Sequence, residues 1–143
     1  MSAQRPERTT RGLLEEALTR SVIGSFYDVH RELGFGYREL IYALALERAL
    51  MAKGHRVDRE VAVMVYFRGE PLARQTLDMI VDDKLVVELT SSERVNPEAT
   101  QQLFGYLSAT NLELGLVLHF GKAARFYRVI FENKYKRRPP SNE

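Results

Sequence analysis

The chain contains no cysteine, so disulfides, thiolate metal sites and cysteine nucleophiles are all excluded. It also lacks any uninterrupted apolar run near the ~20 residues that span a bilayer. Its first residues, MSAQRPERTTRG, lack the apolar stretch of a secretory leader. A cytoplasmic protein without membrane association is the expectation. The folded part is also short of positive charge. Residues 1–11 carry three Arg against one Glu, and residues 132–143 carry four Lys or Arg against two Glu. The two ends thus supply +4, and residues 12–131 come to −2, with 14 basic and 16 acidic side chains. A strong positive field for duplex nucleic acid is therefore missing from the body of the chain.

What is present suits one globular domain. At 143 residues and 45% hydrophobic the chain can bury a core of its own. No repeat or internal linker divides it. The organisation expected is a flexible basic arm over 1–11, a single domain over 12–132 and a flexible basic tail over 133–143.

Leu14, Leu18, Val22, Phe26, Val29 and Leu33 recur at steps of three and four, predicting an amphipathic helix over about 13–33. LGFG breaks it. A second helix is expected from about Tyr37 to Lys53, with Leu40, Leu44 and Ala45 near one line and Gly54 as its C-terminal cap. VDREVAVMVYF, LARQTLDMIV and LVVELT then read as strands separated by tight turns. Asn96-Pro97-Glu98 opens a helix over roughly 97–109, because it supplies an amide cap, a proline at the first position and an acid in the first turn. LELGLVLHF and ARFYRVIFE make two further strands. The order is α-α-β-β-β-α-β-β, an α/β (α+β) fold with a central mixed sheet flanked by helices.

Two carboxylates stand inside the most strand-like segments. By strand parity Thr76, Asp78 and Ile80 point one way and Leu77, Met79 and Val81 the other. Val86, Glu88 and Thr90 share a face on the next strand. If the two strands pair, Asp78 and Glu88 come close, and two ionised carboxylates in an apolar neighbourhood call for a cation or a proton between them. Oxygen ligands favour Mg²⁺ or Mn²⁺. The competing reading is an edge strand whose acids are solvated and guard against aggregation.

GYRELIY, following DVHRELGFG, carries a Gly-x-x-Glu-x-x-Tyr signature at Gly36, Glu39 and Tyr42. With Asp78, DKLVVEL and QLFGYLSATNLELGLVLHFG in that order, the chain from about Val22 to Phe131 resembles the small bacterial and archaeal GxxExxY proteins. Those are a branch of the PD-(D/E)xK nuclease-like superfamily. The resemblance implies a PD-(D/E)xK nuclease-like core and phosphodiester hydrolysis of DNA or RNA with Mg²⁺ or Mn²⁺ and no organic cofactor. Glu39, Asp78 and Glu88 would be the metal-binding and catalytic acids. Gln102 and Tyr106, four apart on a helix, would hold the site or the phosphate backbone, and Arg94 would contact phosphate.

Thr90 departs from that pattern. It occupies the position of the lysine that would orient the attacking water and offset phosphate charge, and a neutral hydroxyl performs neither task. Lys84 lies at the far start of the strand, and Arg94 is no base at neutral pH. Tyr42 could bond a metal-site acid or be a half-buried tyrosine with its hydroxyl at the surface. His30, His55 and His119 show no metal-ligand spacing, and His119 is expected to pack or cap at a strand end. Two functional expectations result. One is a nuclease descendant with a degenerate Glu-x-Lys motif, weakly active or inactive. The other is a non-catalytic scaffold that self-associates as a homo-oligomer or binds a protein partner.

Overall fold

A computed structural model describes residues 6–94 and 96–137, with side chains from residue 16 onward. Eight elements follow in the expected order: α1 (Pro6–Leu33), α2 (Glu39–Ala52), β1 (Val57–Phe67), β2 (Glu70–Val81), β3 (Leu85–Thr90), α3 (Pro97–Ser108), β4 (Leu114–Phe120) and β5 (Ala124–Ile130). They form one five-stranded sheet in the order β1-β2-β3-β4-β5. Only β3 and β4 run parallel, joined through α3; the other neighbours are antiparallel. Tight turns of two or three residues join the antiparallel neighbours, whereas a parallel pair needs a crossover of a dozen or more residues.

The helices form two layers. Val22, Phe26, Tyr42, Leu46 and Leu50 of α1 and α2 pack on Met79, Val87, Leu118 and Phe120. On the opposite face, Leu103, Tyr106 and Leu107 of α3 pack on Leu77, Val86 and Val117. Covered on both faces, β4 is buried along its whole length, which explains its unbroken apolar run. Leu18, Val22, Phe26 and Val29 of the α1 stripe are buried as their spacing predicts.

Several boundaries differ from expectation. The first helix starts at Pro6 rather than near residue 13, with proline at the position where a missing N–H is harmless. Residues 1–5 of the arm and 138–143 of the tail lie outside the described residues. The tail expected over 133–143 begins with a docked 3-10 turn, Asn133–Tyr135. There Lys136 is buried and donates to the Thr110 and Leu112 carbonyls at 2.7 and 2.9 Å. On α2 the expected line is largely on the wrong side: Leu40 and Leu44 are exposed, while Tyr42, Ala43, Leu46 and Leu50 are buried. The helix is apolar around most of its circumference, so periodicity alone selects no face.

α3 starts as Asn96 and Pro97 predict, the Asn96 side chain accepting the Glu98 N–H at 2.9 Å. The three-residue Val81–Leu85 link turns at Asp82 and Asp83, both with left-handed φ (54° and 57°), and the Lys84 N–H closes the turn on the Val81 carbonyl at 3.0 Å.

Candidate acid site at an interrupted sheet

The sheet is irregular at Asp78. The β1–β2 register passes from Arg59–Met79 to Val61–Leu77, omitting Glu60, whose φ is +55°. The β2–β3 ladder ends at Met79–Val87, one step short of Asp78. Beyond that point side chains take over from the backbone. The Asp78 N–H donates to Glu88 Oε1 at 2.9 Å, and the Leu89 N–H donates to Asp78 Oδ2 at 2.8 Å. The irregularity also breaks the simple alternation of β2. Leu77 packs in the α3 layer, whereas Met79 and Val81 pack under α1 and α2, so these three do not share one face. Sheet irregularities of this kind re-aim side chains and recur beside functional sites.

The two carboxylates are neighbours, as pairing of the strands requires. Burial pushes the Glu88 carboxyl up to about 8, and the negative charge of Asp78 adds to the effect. Asp78 is also raised, mainly by burial, with the Leu89 N–H and the bond to Glu88 opposing. The pair therefore retains a proton near neutral pH. Glu39 reaches the rim from the first turn of α2, where the helix dipole favours an anion. Desolvation and then Asp78 raise its carboxyl, while a bond from the Ser91 N–H lowers it. Glu60 acts on Asp78 from the other flank. The spacing of the motifs does not single out Glu60, yet the register shift between Val65 and Tyr66, beyond the Arg68-Gly69 turn, sets the pairing that places it opposite Asp78.

Among the described residues no group of three or more His, Asp or Glu side chains is arranged to hold a metal ion. Glu39 stands exposed at the rim and acts on the pair through its charge, which adds to the rise of Glu88. Asp78 and Glu88 alone fit a hard divalent ion: both are oxygen donors, each has one oxygen fixed by a backbone N–H, and their mutual repulsion is what a cation relieves. Mg²⁺ is commonly held by one or two carboxylates with water filling its remaining positions.

The other predicted residues divide. Tyr106 is buried, and its hydroxyl donates to the Thr76 carbonyl, two residues before Asp78. It therefore does not face a nucleic-acid backbone. Burial, then Glu88 and Asp78, push its hydroxyl up to about 12, which keeps it a donor. Gln102, one turn earlier, is exposed, as is Arg94 in the loop after β3. Tyr42 fits neither expected role. Fully buried, it stacks on Phe120 at 4.2 Å, donates to the Gly34 carbonyl at 2.6 Å and accepts the Tyr37 N–H at 3.2 Å. It thereby clamps the loop before Glu39, in which Gly34 and Gly36 hold φ of 74° and 121°. Glycine, glutamate and tyrosine of the signature thus act together: the glycine permits the turn, the tyrosine ties it down, and the glutamate leaves it at the helix start.

Thr90 is paired across the parallel ladder with His119, and its Oγ1 lies 2.6 Å from His119 Nδ1. Burial and then Arg125 lower the imidazole against an opposing bond to the Ser92 carbonyl. The ring is neutral, so with one nitrogen donating to Ser92 the other accepts the threonine O–H. His119 packs at its strand end, as expected, and no cation occupies the lysine position.

A profile of the PD-(D/E)XK nuclease superfamily matches residues 16–129. The chain belongs to that superfamily. Its fold is similar to that in the crystal structure of SSO0001, with a TM-score of 0.53 and 22% identity over 85% of this chain. The match spans 62% of that chain. No curated protein matches the sequence.

Proposed function

We propose that this chain is a GxxExxY-type member of the superfamily that binds Mg²⁺ or Mn²⁺ weakly and contacts DNA or RNA with little or no phosphodiester cleavage. The observation that carries this reading is the Asp78–Glu88 pair standing beside a Thr90 whose hydroxyl is committed to neutral His119. Asp78 and Glu88 hold the ion, Glu39 acts from the rim, and Tyr106 fixes β2 through the Thr76 carbonyl. A bound divalent ion supplies water activation and neutralises charge on the scissile phosphate. Exposed Arg94 and Gln102 are available to the phosphate backbone. Missing is the ammonium that would orient the nucleophile and stabilise developing charge.

The test combines Mn²⁺ titration calorimetry with cleavage of single- and double-stranded DNA and RNA. Weak heat that disappears in Asp78→Ala, with negligible cleavage by wild type, is expected. Robust wild-type cleavage abolished by Glu88→Ala would overturn the inactive reading, and no heat would remove the metal.

A second reading, a cytoplasmic scaffold that self-associates, is favoured by the β1–β2 ribbon. Only its last three pairs of residues adjoin β3, and its far end exposes Tyr66, Phe67 and Leu72. An isolated ribbon with apolar residues on its surface gains from burial against a second copy. Light scattering showing a monomer at high concentration counts against it.

A further inference from the structure

Ser21, His55 and Asp82 lie far apart in the chain, on α1, after α2 and in the β2–β3 turn, and meet through two short hydrogen bonds. His55 Nε2 is 2.7 Å from Ser21 Oγ, and His55 Nδ1 is 2.7 Å from Asp82 Oδ2. The second carboxylate oxygen, Asp82 Oδ1, accepts the Arg56 N–H at 2.8 Å, which fixes the carboxylate in place. An ionised carboxylate only accepts, so Nδ1 carries a proton, and in the neutral ring the Nε2 lone pair faces the serine O–H. That is the tautomer a general base needs.

The cluster is only partly covered. The His55 side chain is 16% exposed and that of Asp82 33%, so the cluster is shielded yet reachable. Gly24 lies nearly one helical turn beyond Ser21. Apart from its own helix, a Cβ there would meet only Lys53 Nζ, at 3.7 Å. The same ammonium donates to the Ser21 carbonyl at 3.2 Å, which ties the end of α2 to α1 at this residue. None of these residues belongs to the acid site.

We propose that Ser21 is a nucleophile served by His55 as base and Asp82 as orienting group, and that it reacts with small electrophilic acyl esters. Ser21 Oγ bonds to the ester carbonyl carbon while its proton passes to His55 Nε2. The carbonyl π pair moves onto oxygen. When that pair returns, the alcohol oxygen leaves and takes the proton from His55. Water then repeats the sequence on the acyl-serine, so ester and water become acid and alcohol. Nothing is oxidised or reduced.

The test treats the full chain, in EDTA to keep the acid site out of play, with a fluorophosphonate probe, which forms an oxygen–phosphorus bond and releases fluoride. Intact mass and peptide mapping locate the adduct. A single adduct on Ser21 is expected, absent in Ser21→Ala and formed about 100-fold more slowly in His55→Gln, as loss of a positioned base implies. Slow turnover of a small acetate ester should fall in parallel. Mapping of the wild-type adduct decides the matter even if a variant folds poorly. No adduct on Ser21, or an equal rate in His55→Gln, overturns the proposal. So does a His55→Gln variant that loses thermal stability while wild type stays unlabelled, since that marks the cluster as a clasp between α1 and the turn.

Discussion

Thr90 Oγ1 stands 2.6 Å from His119 Nδ1, its neighbour across the only parallel ladder of the sheet. The hydroxyl that replaces the expected lysine is therefore held by a neutral ring on the adjoining strand. A lysine at position 90 would lose that bond and bring a cation to the acid pair. Thr90→Lys is expected to raise Mn²⁺-dependent DNA cleavage at least tenfold over wild type. The cost, about 1 kcal/mol, comes from the unpartnered His119 nitrogen. Cleavage that stays at background after purified Thr90→Lys is shown to be folded would mean that more than the lysine is missing.

Glu88 makes stability depend on pH with a definite sign. Its folded-state carboxyl is raised from 4.5 to about 8. Below the ordinary value both folded and unfolded chains are protonated, and the burial of Glu88 is tolerated. Between the two values the folded chain keeps a proton that the unfolded chain releases, so stability falls as pH rises. Above the raised value the penalty is complete. Glu88→Gln, a permanent mimic of the protonated form, should melt higher than wild type at pH 9, on the order of 5 °C or more, and close to it at pH 4.5. Melting curves that stay parallel across this range would contradict the raised carboxyl.

Tyr42→Phe isolates the clamp on the loop before Glu39. It leaves the stacking on Phe120 in place and removes the bonds to Gly34 and Tyr37. The expected loss is about 1–2 kcal/mol in urea unfolding, because a half-buried carbonyl is left without its donor. Metal affinity should fall as well, through the displaced Glu39. An unchanged midpoint would show that the stacking alone holds the loop.

Gly115 tests how closely α3 sits on the sheet. A Cβ there would lie 2.7 Å from Leu103 Cδ1 and 3.0 Å from its Cγ, and Leu103 is fully buried. Gly115→Ala should destabilise by about 1–3 kcal/mol through overpacking. Leu103→Ala in the same chain should recover part of that loss, as coupled neighbours do. Additive losses would argue that the crowding is relieved elsewhere.

Much of this protein is determined by sequence alone. The element order, the helix start at Asn96-Pro97, the α1 stripe and the proximity of Asp78 to Glu88 all follow from local rules: side-chain period, capping chemistry and tight turns act over a few residues. Where those rules are degenerate, only tertiary packing decided. The buried face of α2 was not legible, since a helix apolar nearly all round has no preferred side until Tyr42 stacks on Phe120. The split of Leu77 from Met79 was equally hidden, because parity assumes a regular strand and the sheet is interrupted at Asp78. Glu60 beside Asp78, His119 beside Thr90, and Ser21, His55 and Asp82 in one cluster are meetings of residues between 18 and 61 positions apart. Nothing in their local context selects such partners; the sheet register and the docking of α1 bring them within hydrogen-bonding or electrostatic reach.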